Sequence, residues 1–389
     1  MQPDASILTI NCGSSSIKLA LYRGDQLTVT GQLSGIGQGQ GRFKLASPTA
    51  TVLDRTLDLP DHPRAFAALF DWLKGEQSDG VQAVGHRVVH GGSRFQAPQH
   101  VTTELLAEVR RLVPFDPLHL PSEIEGIEAI ARLYPHLPQV ACFDTAFHVT
   151  IPEVARLYAL PRRLAEQGIR RYGFHGLSYE YIVQELGRLA GADVAAGRLV
   201  IAHLGSGASM AAVKGGRCVD TTMGFTPTGG LVMATRCGDI DPGVLLYLLQ
   251  SQKLSAEALN DLVNHESGLL GLGGTADMRE LLERSGKDVS AEQAVAVFCH
   301  QARKFVAALS ASLGGLDSLI FTAGIGERSA PVRNRICADL GFLGIEVDAS
   351  RNAANEPVIS TKGSRVTVRV IPTNEELMIA RHTRRVLQT

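Results

Sequence analysis

Apolar and polar positions first alternate at the head of the chain. Ile7, Leu8 and Ile10 run into Asn11, Gly13 and three serines, and then Ile17, Leu19 and Leu21 alternate with Lys18, Ala20 and Tyr22. That pattern predicts a strand, a tight turn and a second strand. It comes back further on: LTINCGSSSIKLALYRGDQL (8–27) is echoed by LVIAHLGSGASMAAVKGGRC (199–218). Both stretches read strand, Gly/Ser turn, strand, Gly turn, as expected of two halves that descend from one duplicated domain. A third glycine turn, SLIFTAGIGERSAPVRNRI (318–336), reads differently. Its strand leads into a helix, with Ser329 as N-cap and Pro331 in the first turn.

Other helices are placed by their caps. Ser122 and Glu125 form a capping-box pattern ahead of IEGIEAIARL, Asp241–Pro242 opens a helix through VLLYLLQ, and Ser178 caps YEYIVQELGRL, which stops at Gly191. The segment 291–313 reads as one long amphipathic helix. The Gly/Gln-rich region 35–49 reads as a surface loop or hairpin. In GHRVVHGG (85–92) the two histidines are four apart, a metal-ligand spacing on a helix, but Val88 and Val89 argue for a strand. Strand alternation then puts Arg87 and Val89 on one face and His86, Val88 and His90 on the other. One cation beside one apolar group suits a small carboxylate; a surface ion pair is the plainer reading of Arg87.

Composition narrows the class. The 389 residues allow two or three domains, and the 40 glycines cluster at the ends of apolar runs, the mark of an α/β protein with chemistry in its loops. With 38 Lys plus Arg against 39 Asp plus Glu, the net charge of −1 gives no reason to expect nucleic acid or an anionic membrane as partner. No apolar run is long enough to span a bilayer, and the N-terminus lacks a basic-then-apolar signal pattern, so the protein is read as cytoplasmic. The six cysteines are scattered without a C-x-x-C pair, which fits free thiols in a reducing compartment.

Gly/Ser turns expose backbone N–H groups that converge on a small concavity, and such nests bind anions. Taken alone, GSSS between strands is a plain turn; three glycine turns in one chain point to phosphate. Two strand–turn–strand loops could hold phosphates and a strand–turn–helix loop a nucleoside. Neither the G-x-x-x-x-G-K-[ST] pattern nor a G-x-G-x-x-G turn with its ribose acid is present, so an ATP site here belongs to neither of those folds.

At this point the chain resembles the acetate/propionate kinase family of the actin/hexokinase/heat-shock-chaperone superfamily. The motifs are NCGSSSIK (11–18), GHRVVHGG (85–92), PLHLP (117–121), FDTAFH (143–148), YGFHGLS (172–178), HLGSGAS (203–209), DTTMGFTP (220–227), TRCGDIDPG (235–243), FTAGIGE (321–327) and IPTNEEL (371–377), in the family's order. The resemblance implies an α/β chain of two actin-like, duplicated ribonuclease-H-like domains with the active site in the interdomain cleft. The expected first domain is 1–147 plus 376–389, and the second is 148–375. It implies ATP and acetate as substrates, Mg²⁺ as cofactor with Mn²⁺ able to substitute, ADP and acetyl phosphate as products, and a homodimer.

Residue by residue, the resemblance makes Asp144, Arg87, Arg236 and His175 catalytic, with His175 and Arg236 stabilising the transition state. Asn11 and Glu375 match the magnesium ligands. Val89, Leu118, Phe174 and Pro227 line the acyl pocket together with Arg87. Ser14, Ser16 and Lys18 lie in the first phosphate turn, and His203, Gly205, Ser206 and Gly207 in the second. Asp277, Arg279, Gly324, Ile325, Gly326, Glu327 and Arg328 match the adenosine segments, although Asp277 and Arg279 also read as an exposed ion pair. His119 matches a further site histidine. His175 and His203, beside glycines and an aromatic, are equally typical of structural histidines. The chain departs from the family's usual residues at Ser206, Leu177, Tyr179, Leu120, Gly229 and Arg328.

Two other classes remain open at this stage: a sugar or polyol kinase with Asp144 as base for a hydroxyl, and a non-catalytic nucleotide switch. The first requires a polar acceptor pocket; the second does not need paired arginines facing apolar residues. Within the carboxylate kinases, propionate is the alternative to acetate.

Overall fold

The structure, a computed structural model, describes residues 5–13, 15–76 and 80–388. Ser14, one of the expected phosphate contacts, lies outside the described residues. The chain forms two compact units, Met1–Ala146 with Asn374–Thr389, and Phe147–Thr373.

The first unit is built on eight strands: β1 Ser6–Cys12, β2 Ser16–Arg23, β3 Gln26–Ser34, β4 Gln40–Ala46, β5 Thr51–Asp58, β6 Val81–Val88, β7 Gln99–His100 and β8 Gln139–Phe143. Their order across the sheet is β5-β4-β3-β2-β1-β6-β8-β7. The strand–turn–strand expected at the head of the chain is the antiparallel pair β1–β2, with Asn11 opposite Lys18. β1, β6 and β8 run parallel, so their carboxyl ends lie along one edge. Ile10, Ile17, Leu19 and Leu21 pack on one sheet face with Phe66, Leu69 and Phe70 of the helix His62–Glu76. The helix Glu375–Gln388 packs against β1, β6 and β8 through Met378, Ile379 and Ala380.

The second unit carries five strands: β9 Arg198–Leu204, β10 Ala208–Lys214, β11 Arg217–Thr221, β12 Ser318–Thr322 and β13 Thr367–Val370. The order is β11-β10-β9-β12-β13. Three antiparallel strands continue into two parallel ones, as β3-β2-β1-β6-β8 do in the first unit. The long helix Val289–Leu313 and the helix opened by Asp241, whose side chain accepts the Gly243 N–H, form as their sequence patterns predict.

Several local expectations are corrected. Of the two readings of region 35–49, the hairpin is the one that forms: β3 and β4 pair antiparallel across a turn, and Gln40–Ala46 is a full strand because Gly41, Phe43 and Leu45 alternate inward. The helix after PLHLP starts at Leu120, two residues before the expected cap; Pro121 stands in its first turn, and Ser122 Oγ donates back to His119 O. The helix after FHG starts at Gly176, so Ser178 is inside it rather than capping it; His175 occupies the cap position with a left-handed φ of 58°. The turn at 323–328 is itself a short helix, Ala323–Arg328, entered from β12 through Ala323 at φ 63°. A second helix, Ala330–Cys337, follows, with Ser329 at its N-cap but making no side-chain capping bond. Finally, β6 ends at Val88, so strand alternation stops short of Val89.

Gly85 marks the closest approach of the helix Glu375–Gln388 to the sheet. A Cβ there would stand 2.3 Å from Thr383 Oγ1 and 2.5 Å from Ile379 Cγ2. Gly85→Ala is therefore expected to lower the stability of the chain by about 1–3 kcal/mol through overpacking, read from the urea midpoint. An unchanged midpoint would mean the helix does not press on β6.

Candidate active site

Parallel strands deliver loops from their carboxyl ends, and ligand sites of open α/β sheets lie there. In the first unit Asn11 is the penultimate residue of β1, Arg87 the penultimate residue of β6, and Asp144 the first residue after β8. The Asp144 N–H donates to Val88 O at 3.0 Å, continuing the β6–β8 ladder one step beyond the strands. The Asp144 side chain is fully buried, and Arg87 grips it with two prongs: Nη2 donates to Oδ2 at 2.5 Å, and Nε donates to Oδ1 and Oδ2 at 3.2 and 3.1 Å. Arg87 Nη1 reaches Asn11 Oδ1 at 3.3 Å. The plain alternative of a surface ion pair does not hold, since the side chains are 15 % and 0 % exposed. Burial works against the Arg87 charge, but Asp144, Glu375 and Glu123 together outweigh it and hold the guanidinium firmly protonated.

Glu375, first residue of its helix, joins the same group. Burial pushes its carboxyl up to about 7, Asp144 and Glu376 add to the rise, and Arg87 and Lys18 oppose it. A carboxyl in that condition is one whose ionised form a divalent cation would stabilise. Among the described residues no three His, Cys, Asp or Glu side chains form a metal cage. The hard oxygens of Asn11 and Glu375 instead fit Mg²⁺, which takes one or two protein ligands and fills the rest with phosphate oxygens and water.

Val89 is 2 % exposed, just past the strand end, with its N–H donated to Glu123 Oε2 at 3.0 Å. Leu118 is half-buried, and His119 caps the next helix with Nδ1 held at 2.8 Å by the buried Asp116. Gly13 N–H closes the first glycine turn onto Ser16 O at 2.7 Å. Lys18 is exposed and opens on a polar hollow of about 390 Å³ shared with Thr30, Gln32, Lys44 and Glu376.

The second unit assembles its own group. The Gly205 N–H donates to Gly207 O at 3.0 Å, closing the second glycine turn. A Cβ on Gly207 would come within 3.2 Å of His175 Nε2 and 3.5 Å of Arg236 Nη2, so this turn gathers both side chains. The rings of His175 and His203 stack with centroids 4.1 Å apart. His175 Nδ1 bonds Ser209 Oγ at 2.8 Å, which bonds Tyr179 Oη at 2.5 Å. His203 Nδ1 bonds Ser178 Oγ at 2.8 Å, and that hydroxyl also meets Thr373 Oγ1. Tyr179 thus shares the Ser209 hydroxyl with His175. Arg236 Nη1 donates to the carbonyl of Pro227, which is buried, as is Phe174.

In the same unit Gly324, Ile325, Gly326, Glu327 and Arg328 form the short helix after β12. Its end is propped by the fully buried Arg333, which donates to the carbonyls of Gly326 and Glu327 at 2.9 Å. Glu327 Oε1 accepts the Thr373 N–H. Ser206 is exposed at the tip of its turn. Asp277 caps a helix and pairs with Arg279 at 3.0 Å, both exposed.

Glu123, Asp116, Ser209 and Arg333 escaped the sequence reading. The legible signal for Glu123 was a carboxylate in the apolar stripe with Leu120, Ile124, Ile127 and Ile130. The cysteines give no nucleophile: all six are free and five are buried. Burial raises the thiol of Cys12, beside Glu123 and Glu125, well above its ordinary range.

Residues 6–381 match the Acetokinase family. The chain is 46 % identical to the acetate kinase of Rhodopseudomonas palustris over 389 aligned residues, 97 % of each chain. Among solved structures it resembles an acetate kinase of Porphyromonas gingivalis, with a TM-score of 0.89 and 38 % identity over 98 % of this chain and 100 % of that one. A propionate kinase of Francisella tularensis gives a TM-score of 0.94 and 37 % identity over 98 % and 100 %.

Ser209→Ala removes the hydroxyl shared by His175 and Tyr179. It is expected to lower urea stability by about 1–3 kcal/mol, the cost of disturbing a buried polar chain. Unaltered stability would mean that the chain does not hold His175.

Proposed function

The chain belongs to the acetokinase family and is an ATP-dependent kinase of acetate, and from that premise we propose how its own residues carry the reaction. Acetate is already ionised at neutral pH, so it needs no base. Its oxygen attacks the γ-phosphorus in line, the new C–O–P bond forms as the bond to the β-phosphate oxygen breaks, and ADP leaves with that electron pair. What the protein must supply is charge: three anionic groups have to be gathered and the transferring phosphoryl stabilised.

Arg87, fixed by Asp144, receives the carboxylate and one side of the phosphoryl group. Arg236 and His175 Nε2 stabilise the phosphoryl oxygens. Asp144 acts through Arg87 and serves as the carboxylate that keeps the cation in place. The turn Gly205–Ser206–Gly207 and His203 Nε2 hold phosphate oxygens, helped in the first unit by Ser16 and Lys18. Gly324 to Arg328, with Asp277 and Arg279, serve the adenosine. Asn11 and Glu375 would hold Mg²⁺, which when bound supplies neutralising charge to the phosphates. Val89, Leu118, Phe174 and Pro227 present apolar surface to the methyl group, which favours a short acid over a sugar.

The observation that supports this reading most is the two-pronged Arg87–Asp144 pair, buried at the ends of β6 and β8. Incubation with ATP, Mg²⁺ and acetate in hydroxylamine is expected to give acetyl hydroxamate, with far less from propionate, and ADP release measured in parallel is expected with acetate and absent with glucose or glycerol. Phosphorylation of the alcohols without acetate would overturn it. Arg236→Ala is expected to lose about 10²–10³ in kcat, the scale of one lost transition-state donor, with melting unchanged. Arg87→Ala is expected to lose activity and also about 3–5 kcal/mol of stability, because it strands a buried carboxylate. Near-normal kcat in either variant would remove that residue's role.

A homodimer and a cytoplasmic location complete the proposal. The six free thiols fit a reducing compartment, and among the described residues no helix is long and apolar enough to cross a membrane. The helix Pro242–Gln250 buries none of its residues and leaves Val244, Leu246 and Tyr247 at 42 %, 53 % and 55 % exposure, beside Ile240 at 40 %. A second copy of the chain would cover such a face. Light scattering is expected to give twice the chain mass, and Leu246→Glu to give one chain mass. A monomeric native protein would exclude the dimer.

A further inference from the structure

A buried carboxyl in the first unit has no task in that mechanism. Glu123 is 2 % exposed, on the first turn of the helix Leu120–Leu133. Its Oε2 accepts the Val89 N–H, while Oε1 is buried with no hydrogen-bond partner. Burial drives the carboxyl well above its ordinary range, with Asp116 and Asp144 adding and Arg87 and the Val89 N–H opposing. The unpartnered Oε1 is left facing the interior, and only Oε2 carries a hydrogen bond. Packing alone would favour Leu or Ile on this helix face; what a carboxyl offers instead is an acceptor.

The segment it meets needs one. β6 ends at Val88, so the next residues have no strand partner. They are pinned one by one: Val88 O by the Asp144 N–H, Val89 N–H by Glu123, Gly91 N–H by Thr145 Oγ1 and Gly92 N–H by His90 Nδ1. Three of these ties come from residues elsewhere in the unit, and only that of Glu123 acts on Val89 itself.

We infer that Glu123 is a positioning residue for the acyl end of the site: by holding the Val89 N–H it fixes how far Val89 stands from Arg87, and so which short acid fits. The inference rests on the proposal that Val89 meets the methyl group. Glutamine keeps an acceptor oxygen at the same reach; aspartate falls one methylene short; alanine removes the acceptor.

The test is kcat/KM for acetate and for propionate on the full chain and on Val89→Ala, Glu123→Ala, Glu123→Gln, Glu123→Asp and the Val89→Ala/Glu123→Ala pair. Val89→Ala is expected to move the ratio several-fold toward propionate. Glu123→Ala is expected to lower the acetate-to-propionate ratio about three- to tenfold, within the range one methylene commands, through the KM for the acid. Its KM for ATP should stay within about twofold, since the nucleotide groups are untouched. Glu123→Gln should keep the native ratio. In the double variant the effect of Glu123→Ala should largely vanish, because residues acting through one another are not additive.

An unchanged ratio in Val89→Ala would sink the pocket reading and this inference with it. A shift in Val89→Ala with none in Glu123→Ala, or additive effects, or Glu123→Gln behaving like alanine, would overturn the inference alone. If the alanine variant does not fold, the aspartate variant decides: a lowered ratio supports the role and a native ratio refutes it.

Discussion

A guanidinium and a carboxylate locked together inside the protein set the terms for everything around them. Neither Arg87 nor Asp144 could be buried alone, since an unpaired charge in that position costs several kcal/mol. The pair forms because β6 and β8 are parallel neighbours with Val88 opposite Phe143, so the two chains leave the sheet side by side. The bidentate grip fixes the plane of the guanidinium, and Asn11 takes a further N–H from β1. A cation held this rigidly needs no reorganisation when an anion arrives, which is the condition for stabilising charge in a transition state.

The second unit repeats the scaffold but not the chemistry. β9 and β10 meet in the same antiparallel way as β1 and β2, with His203 opposite Ser209 where Asn11 stands opposite Lys18. Here two stacked histidines take the place of the charged pair, each with its Nδ1 bonded to a serine hydroxyl, Ser209 for His175 and Ser178 for His203. His175 takes a left-handed backbone, as does Ala323 at the head of the 323–328 helix. Strain of this kind persists where the surroundings overdetermine it, commonly at functional sites.

Much of this was readable in the chain. Period-two alternation gave β2, the apolar run before it gave β1, and the recurrence at residue 199 gave β9, β10 and the duplicated scaffold. The family's motifs named the charged residues. What could not be read were choices decided by tertiary packing. Ser122 and Ser178 look like caps locally, but each helix begins earlier because Pro121 and His175 fix the entry. AGIGER reads as a glycine turn, yet it coils, with Arg333 donating to its last carbonyls. The alternation of GHRVV ran on past Val88 on paper, whereas the strand stops there and Glu123 takes over from a ladder partner. Glu123 itself was hidden among apolar neighbours, and only the fold shows its carboxyl buried against the Val89 N–H.

The central claim is that the carboxylate attacks phosphorus directly while the two arginines and His175 hold the charge. The stereochemical course tests it most directly. ATP made isotopically chiral at the γ-phosphorus should transfer its phosphoryl group to acetate with inversion of configuration. Retention would mean two successive displacements through a phosphorylated side chain, such as Glu375 or Asp144, and would contradict the account.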